Sequence, residues 1–175
     1  YSAIPMKFYD LKHILSLDFR ALAAFRISLG ILLVCDQLVR FEDLWAHYTD
    51  FGVMPRAFLM DYHWNDMAFS LHMASGQAWW VALLFALGIL SGLAIALGYR
   101  TRVAMVFGWM LFVSTLNRNP MVEVGADVLL RQLLFWGMFL PLGACWSLDS
   151  NQPAKHLPQK RYFGGPSIAL ILQVS

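Results

Sequence analysis

Long apolar blocks separated by short polar breaks make up most of this chain. Residues 21–38 carry charge only at Arg26 and Asp36, residues 79–97 and 103–116 carry none, and residues 128–146 carry only Arg131. A helix needs about 20 residues to cross ~30 Å of hydrocarbon. The first, second and fourth blocks meet that length. The third is short. It spans if Arg102 and Arg118 at its ends reach out to the headgroups and the bilayer thins locally; otherwise it is a re-entrant or buried helix. In the second block Gly88, Gly92 and Ala96 recur every fourth residue, a small-residue stripe that lets another helix approach closely. Pro141 should bend or loosen the fourth helix.

The segments between the blocks are not ordinary linkers. Residues 41–77 are rich in aromatics, among them Trp45, Tyr48, Phe51, Phe58, Tyr62, Trp64 and Phe69. Pro55 is placed to open a short helix through Ala57, Phe58 and Met60. One or two short helices are expected here, lying on the ends of the spans. Their aromatics read as an interfacial belt or, more sharply, as a lid over a cavity. Before the first block, Phe8, Leu11 and Leu15 recur at helical spacing with Lys7 and Lys12 elsewhere on the wheel. That suits a helix lying on the inner membrane surface.

Composition and charge agree with lipid as the solvent. Of the 175 residues 59% are apolar and 14% charged, where soluble domains carry roughly a quarter charged. If four blocks cross, one side receives Lys7, Lys12, Arg20, Arg100, Arg102, Lys155, Lys160 and Arg161. The other receives Arg40, Arg56 and Arg118. Basic loops stay in the cytoplasm, so the N-terminus is expected inside a plasma (inner) membrane. The expected fold is therefore all-α: a polytopic transmembrane helix bundle of four spans plus the start of a fifth, with a helical outer loop. An interfacial helix would fill residues 1–20, the transmembrane domain residues 21–150, and a cytoplasmic loop with the start of a further span residues 151–175. The first residue is Tyr1 and an apolar run from Ile168 stops at Ser175, which reads as a fragment. The lipid bilayer is the expected partner; nucleic acid is not.

Charges inside the apolar blocks are the candidate chemistry. Each costs about 2.5–3.5 kcal/mol at a helix centre and should face the bundle or a wet cavity. Asp36 and Arg131 have matching depths and could pair across helices. Alternatively, Asp36 pairs with Arg40 and Arg131 with Asp127, each at i, i+4. Arg26 sits deeper, with no obvious partner. Cys35 and Cys145 should differ in depth by roughly 15–20 Å, too far for a disulfide; both are read as packing residues. His47, His63 and His72 match no metal-ligand spacing, so no metal is assigned; a general base is the better use of such a histidine. The turn Arg118-Asn119-Pro120 with Glu123 and Asp127 either caps two helices or binds a polar headgroup or peptide.

Six segments in order carry a resemblance: Phe25-Arg26-Ile27 with Asp36; His47-Tyr48-Thr49-Asp50-Phe51-Gly52 with Pro55; Ser70-Leu71-His72; Leu97-Gly98-Tyr99-Arg100-Thr101-Arg102; Arg118-Asn119-Pro120 with Gly125 and Asp127; and Trp146-Ser147-Leu148-Asp149. From about Leu17 to Ser150 the chain resembles the HTTM (horizontally transferred transmembrane) domain, a family related to the membrane part of vitamin K-dependent γ-carboxylase. The resemblance implies a multi-helix membrane domain and, as cofactor, reduced vitamin K or another quinone. In the carboxylase, oxygenated quinol supplies the base that removes a glutamate γ-proton, a step that needs a water-poor site. The carboxylase activates its quinol with a lysine near the outer end of the counterpart third helix. Here that region reads Arg118-Asn119-Pro120, and arginine stays protonated, which argues against carboxylation. Bacterial members of the family also include a membrane protein of the sporulation-delaying toxin system, needed to mature its peptide.

Three functions follow. The first is a membrane enzyme acting on a quinone or peptide at the outer face, with His47, His72, Arg118 and Asp127 as catalytic candidates and Arg131, Asn119 and Asp50 binding substrate. The second is a non-catalytic factor for maturation or export of a secreted peptide. The third is a transporter using Arg26.

Overall fold

The computed structural model describes residues 17–62, 69–149 and 161–162. Residues 17–20 of the expected surface helix form a two-residue strand and the start of the first helix. Its residues 1–16 lie outside the described residues, as do His63, Trp64 and most of the segment from residue 150 onward. Within them the chain is helical, apart from a two-residue antiparallel pairing of β1 (Leu17–Asp18) with β2 (Arg161–Tyr162).

Helix α1 (Phe19–Glu42) starts where the Asp18 carboxylate accepts from the Arg20 N–H at 2.8 Å, an N-cap that satisfies one of the free donors of the first turn. Two short helices follow, α2 (Leu44–His47) and α3 (Arg56–Tyr62), then a 3₁₀ turn at Leu71–Met73. Pro55 directly precedes α3 and its carbonyl accepts from Leu59 N–H, as the expected proline-opened helix requires. Helix α4 (Ala78–Leu97) ends at Gly98, which takes φ 73°. Tyr99 N–H then returns to Ala94 O, closing the helix in the left-handed glycine cap. Helix α5 (Thr101–Arg118) and helix α6 (Gly125–Gly137) complete the bundle.

Helices α1 and α4 are long and apolar enough to cross a membrane, yet only 39% and 33% of their most apolar stretches are buried. A helix at the core of a soluble protein would be mostly covered. Here Ile31, Leu32, Leu38 and Val39 on α1, and Leu83, Leu87, Leu90 and Leu93 on α4, face outward. The two helices meet along the small-residue stripe. A Cβ on Gly30 would stand 2.5 Å from Ala96 N and 2.6 Å from Gly92 O, and one on Gly92 would stand 2.7 Å from Val34 Cγ2. One core of Leu22, Leu29, Leu33, Met105, Phe112 and Leu134 joins α1, α5 and α6. Leu44, Tyr48, Val81 and Phe85 form a second, smaller core that seats α2 on α4.

The fourth apolar block departs from expectation. Its helix ends at Gly137 instead of running to Trp146. Met138, Phe139 and Leu140 donate to the carbonyls three residues back, a tightening that ends many helices. Pro141 then has no N–H to offer and disfavours the helical conformation of Leu140. Thirteen residues reach about 20 Å, less than a hydrocarbon core. Cys35 is also exposed instead of packed, while Cys145 is buried; both thiols are free.

Substituting Gly92 by valine should force α1 and α4 apart and lower stability in detergent by about 1–3 kcal/mol, the usual cost of overpacking. Gly125→Ala is the control: nothing lies within 4 Å of a Cβ there, so its thermal melt should stay within about 0.5 kcal/mol of wild type.

Candidate functional site

The residues singled out in the sequence collect at the two ends of α5. At its C-terminal end, three consecutive polar side chains reach out to the connection between α1 and α4. Asn117 Nδ2 donates to Phe69 O (2.7 Å) and Asn119 Nδ2 to His47 O (3.1 Å). Arg118, with no exposed surface, donates to Met54 O (2.9 Å) and Thr49 O (3.2 Å). Its nearest carboxylate oxygen, on Asp50, is 3.7 Å away. Asp50 itself is held by Arg56 Nε and Nη2 at 2.7–3.0 Å, and this hydrogen bonding draws its carboxyl below the usual range. Arg56 Nη1 continues to Met73 O. These side chains fix an irregular backbone by filling its carbonyls, as a buried loop must arrange.

His72 lies behind this clamp. Its Nδ1 is 2.7 Å from Ser114 Oγ, which also accepts from its backbone N–H at 3.1 Å, and its ring sits 5.5 Å from Phe85. Nε2 has no partner. Burial, reinforced by the Arg118 charge, pushes its pKa down to about 3. The imidazole is therefore neutral and enclosed near neutral pH. His47 enters through its backbone carbonyl.

The second cluster is centred on a residue absent from the expected site, Arg40. Its Nε donates to both oxygens of Asp36 (2.9 and 3.0 Å), Nη1 to Tyr48 OH (3.0 Å) and Nη2 to Asp127 Oδ1 (2.7 Å). The other Asp127 oxygen accepts from Val124 N–H at 2.9 Å and caps α6. Arg131 does not join Asp36 or Asp127; it stands 3.6 Å from Glu123, both side chains about a third exposed, an arrangement of little energetic weight. The i, i+4 alternative for Asp36 was thus legible, and it marked Arg40. Nothing in the sequence separated Tyr48 from the other aromatics of its loop, or marked Ser114.

Burial raises the Tyr48 phenol's pKa, so it stays neutral. Two carboxylates face one guanidinium. Both carboxylates line a groove of about 400 Å³ between α1 and α6, whose walls include Leu32, Val39, Leu129, Leu130 and Leu133. Apolar clefts of this size with a few converging polar groups are typical of small-molecule sites. Among the described residues no group of three or more His, Cys, Asp or Glu is arranged to hold a metal.

At the N-terminal end of α5, Leu148 N–H donates to Leu97 O and Asp149 N–H to Gly98 O. The Asp149 carboxylate returns to Thr101 N–H at 3.0 Å. Arg26, fully buried, donates from Nη2 to Trp146 O at 2.5 Å, and its Nη1 packs so closely on Gly98 that a Cβ there would collide with it. Arg26 closes this joint, and its Nε and Nη1 have no hydrogen-bond partner among the described residues.

No protein-family model matches this chain, and no curated protein or solved structure matches it.

His72 should make stability pH-dependent. Its folded pKa lies below the unfolded value of about 6.5, so the unfolded chain takes up the proton first. The contribution is intact above that value. It is lost as pH falls, by about 1.4 kcal/mol per unit below roughly pH 6. Denaturation of the detergent-solubilised protein between pH 7 and 4.5 should show this slope in wild type, and His72→Leu should flatten it.

Proposed function

We propose that this chain is a polytopic membrane protein of the HTTM type that receives a lipid-soluble ligand from the bilayer, in the groove between α1 and α6. The observation that carries the reading is the groove itself: apolar walls into which Asp36 and Asp127 are set. An apolar tail would lie along the leucines. A head that donates hydrogen bonds, such as the hydroxyls of a quinol, would find acceptors in the two carboxyl groups. A carbonyl head of an oxidised quinone could only accept and would face carboxylates that also only accept.

The reading takes four crossings. Helices α1 and α4 are long and apolar enough for two. Helix α5, with 18 residues, would reach about 27 Å with Arg102 and Arg118 near its ends. Helix α6 would need the turns that follow Gly137 to complete the fourth. Most of the basic residues would then fall on the cytoplasmic side, with Arg40, Arg56 and Arg118 opposite. Arg118 stands where the carboxylase places its lysine, but it is spent on backbone carbonyls. The reading is therefore of ligand binding and handling at the outer face, without glutamate carboxylation.

A second reading, a non-catalytic factor that matures or exports a secreted peptide, is favoured by the outward-facing Trp45, Phe51 and Val53, the last two 78% and 80% exposed. They offer an apolar ledge on the outer connection.

Lipid extracts of the purified protein should contain a stoichiometric quinone or related amphiphile, and Asp36→Asn with Asp127→Asn should lose at least tenfold of it while Gly125→Ala keeps it. Retention of every bound molecule by the double variant would sink the groove proposal. Separately, tags at residues 1 and 155 should report from the same cytoplasmic face; opposite faces would overturn the four crossings.

A further inference from the structure

The cavity at the other end of the bundle has the opposite electrical character. It measures about 530 Å³ and lies between the start of α5 and the turns that follow α6. Val103, Leu140, Pro141 and Leu142 form its apolar wall, and Arg100 and Arg102 its rim. Both arginines are exposed, and among the described residues neither guanidinium forms an ion pair. Asp149 also lines the cavity; its carboxylate accepts from Thr101 N–H and feels the Arg100 charge. Two cations thus face one anion already held by the backbone, and the cavity keeps a positive excess.

We propose that this cavity seats an anionic phospholipid, with the phosphate between Arg100 and Arg102 and the upper acyl chain against Val103, Leu140 and Pro141. The apolar wall and basic rim belong to one cavity, so a ligand with a charged head and an apolar body uses both surfaces. Free phosphate would use only the rim. Basic pockets between helices at the cytoplasmic surface suit anionic headgroups. The inference rests on the membrane reading above but not on the groove at the opposite end.

The test is a native mass-spectrometry titration of the full chain in detergent with phosphatidylglycerol and phosphatidylcholine of identical acyl chains. Inorganic phosphate serves as the competitor. Wild type should prefer phosphatidylglycerol, and each arginine removed should cut that preference roughly fivefold. Arg102→Gln and Arg100→Asn are the variants; asparagine tolerates the left-handed backbone that Arg100 adopts at φ 42°. Gly125→Ala, which adds a methyl group in open space, should leave the preference unchanged. Equal binding of the two lipids to wild type overturns the proposal. So does an unchanged preference in the double variant with a wild-type melt. Displacement of phosphatidylglycerol by equimolar inorganic phosphate would assign the site to free phosphate instead. Failure of the outer groove, or of the four crossings, would appear in the extraction and tag experiments and not here.

Discussion

Arg26 and Arg118 have no exposed surface, and the hydrogen bonds they make go to backbone carbonyls, while Arg26 Nε and Nη1 and Arg118 Nε have no hydrogen-bond partner among the described residues. An unpaired charge buried in low dielectric costs several kcal/mol, so these two groups hold only if the surrounding backbone is brought to them. That requirement shapes both ends of the bundle. Arg118 gathers the connection between α1 and α4 by taking Met54 O and Thr49 O, with Asn117 and Asn119 taking Phe69 O and His47 O on either side. Arg26 takes Trp146 O and holds the segment after α6 against the glycine-capped turn between α4 and α5.

Between the two clamps, the close approach of α1 and α4 at Gly30 and Gly92 places the last turns of α1 beside α6. There Arg40 binds Asp36, Tyr48 and Asp127 together. The cluster joins α1, the connection between α1 and α4, and the start of α6, so it is a structural joint as well as part of the groove's lining. The cavity beside the start of α5 is lined instead by Arg100 and Arg102.

The apolar blocks, the stripe of small residues, the helix opened by Pro55 and the Asp36–Arg40 pair were legible in the sequence, whereas Pro141 was read as a bend in a helix that in fact ends at Gly137. All are local: hydropathy, i, i+4 spacing and the backbone habits of glycine and proline act within a few residues. What the tertiary structure alone decided was where the long side chains end. Arg40 reaches Asp127 across 87 residues, and Arg118 reaches Met54 and Thr49 across 64 and 69. Backbone carbonyls are the chosen partners of Arg26 and Arg118, and every residue has one, so no residue type announces them. The sequence therefore marked Arg118 and His72 but not the Met54, Thr49 and Ser114 oxygens that hold them, and the second partner of Arg40 is a carboxylate that only folding brings within reach.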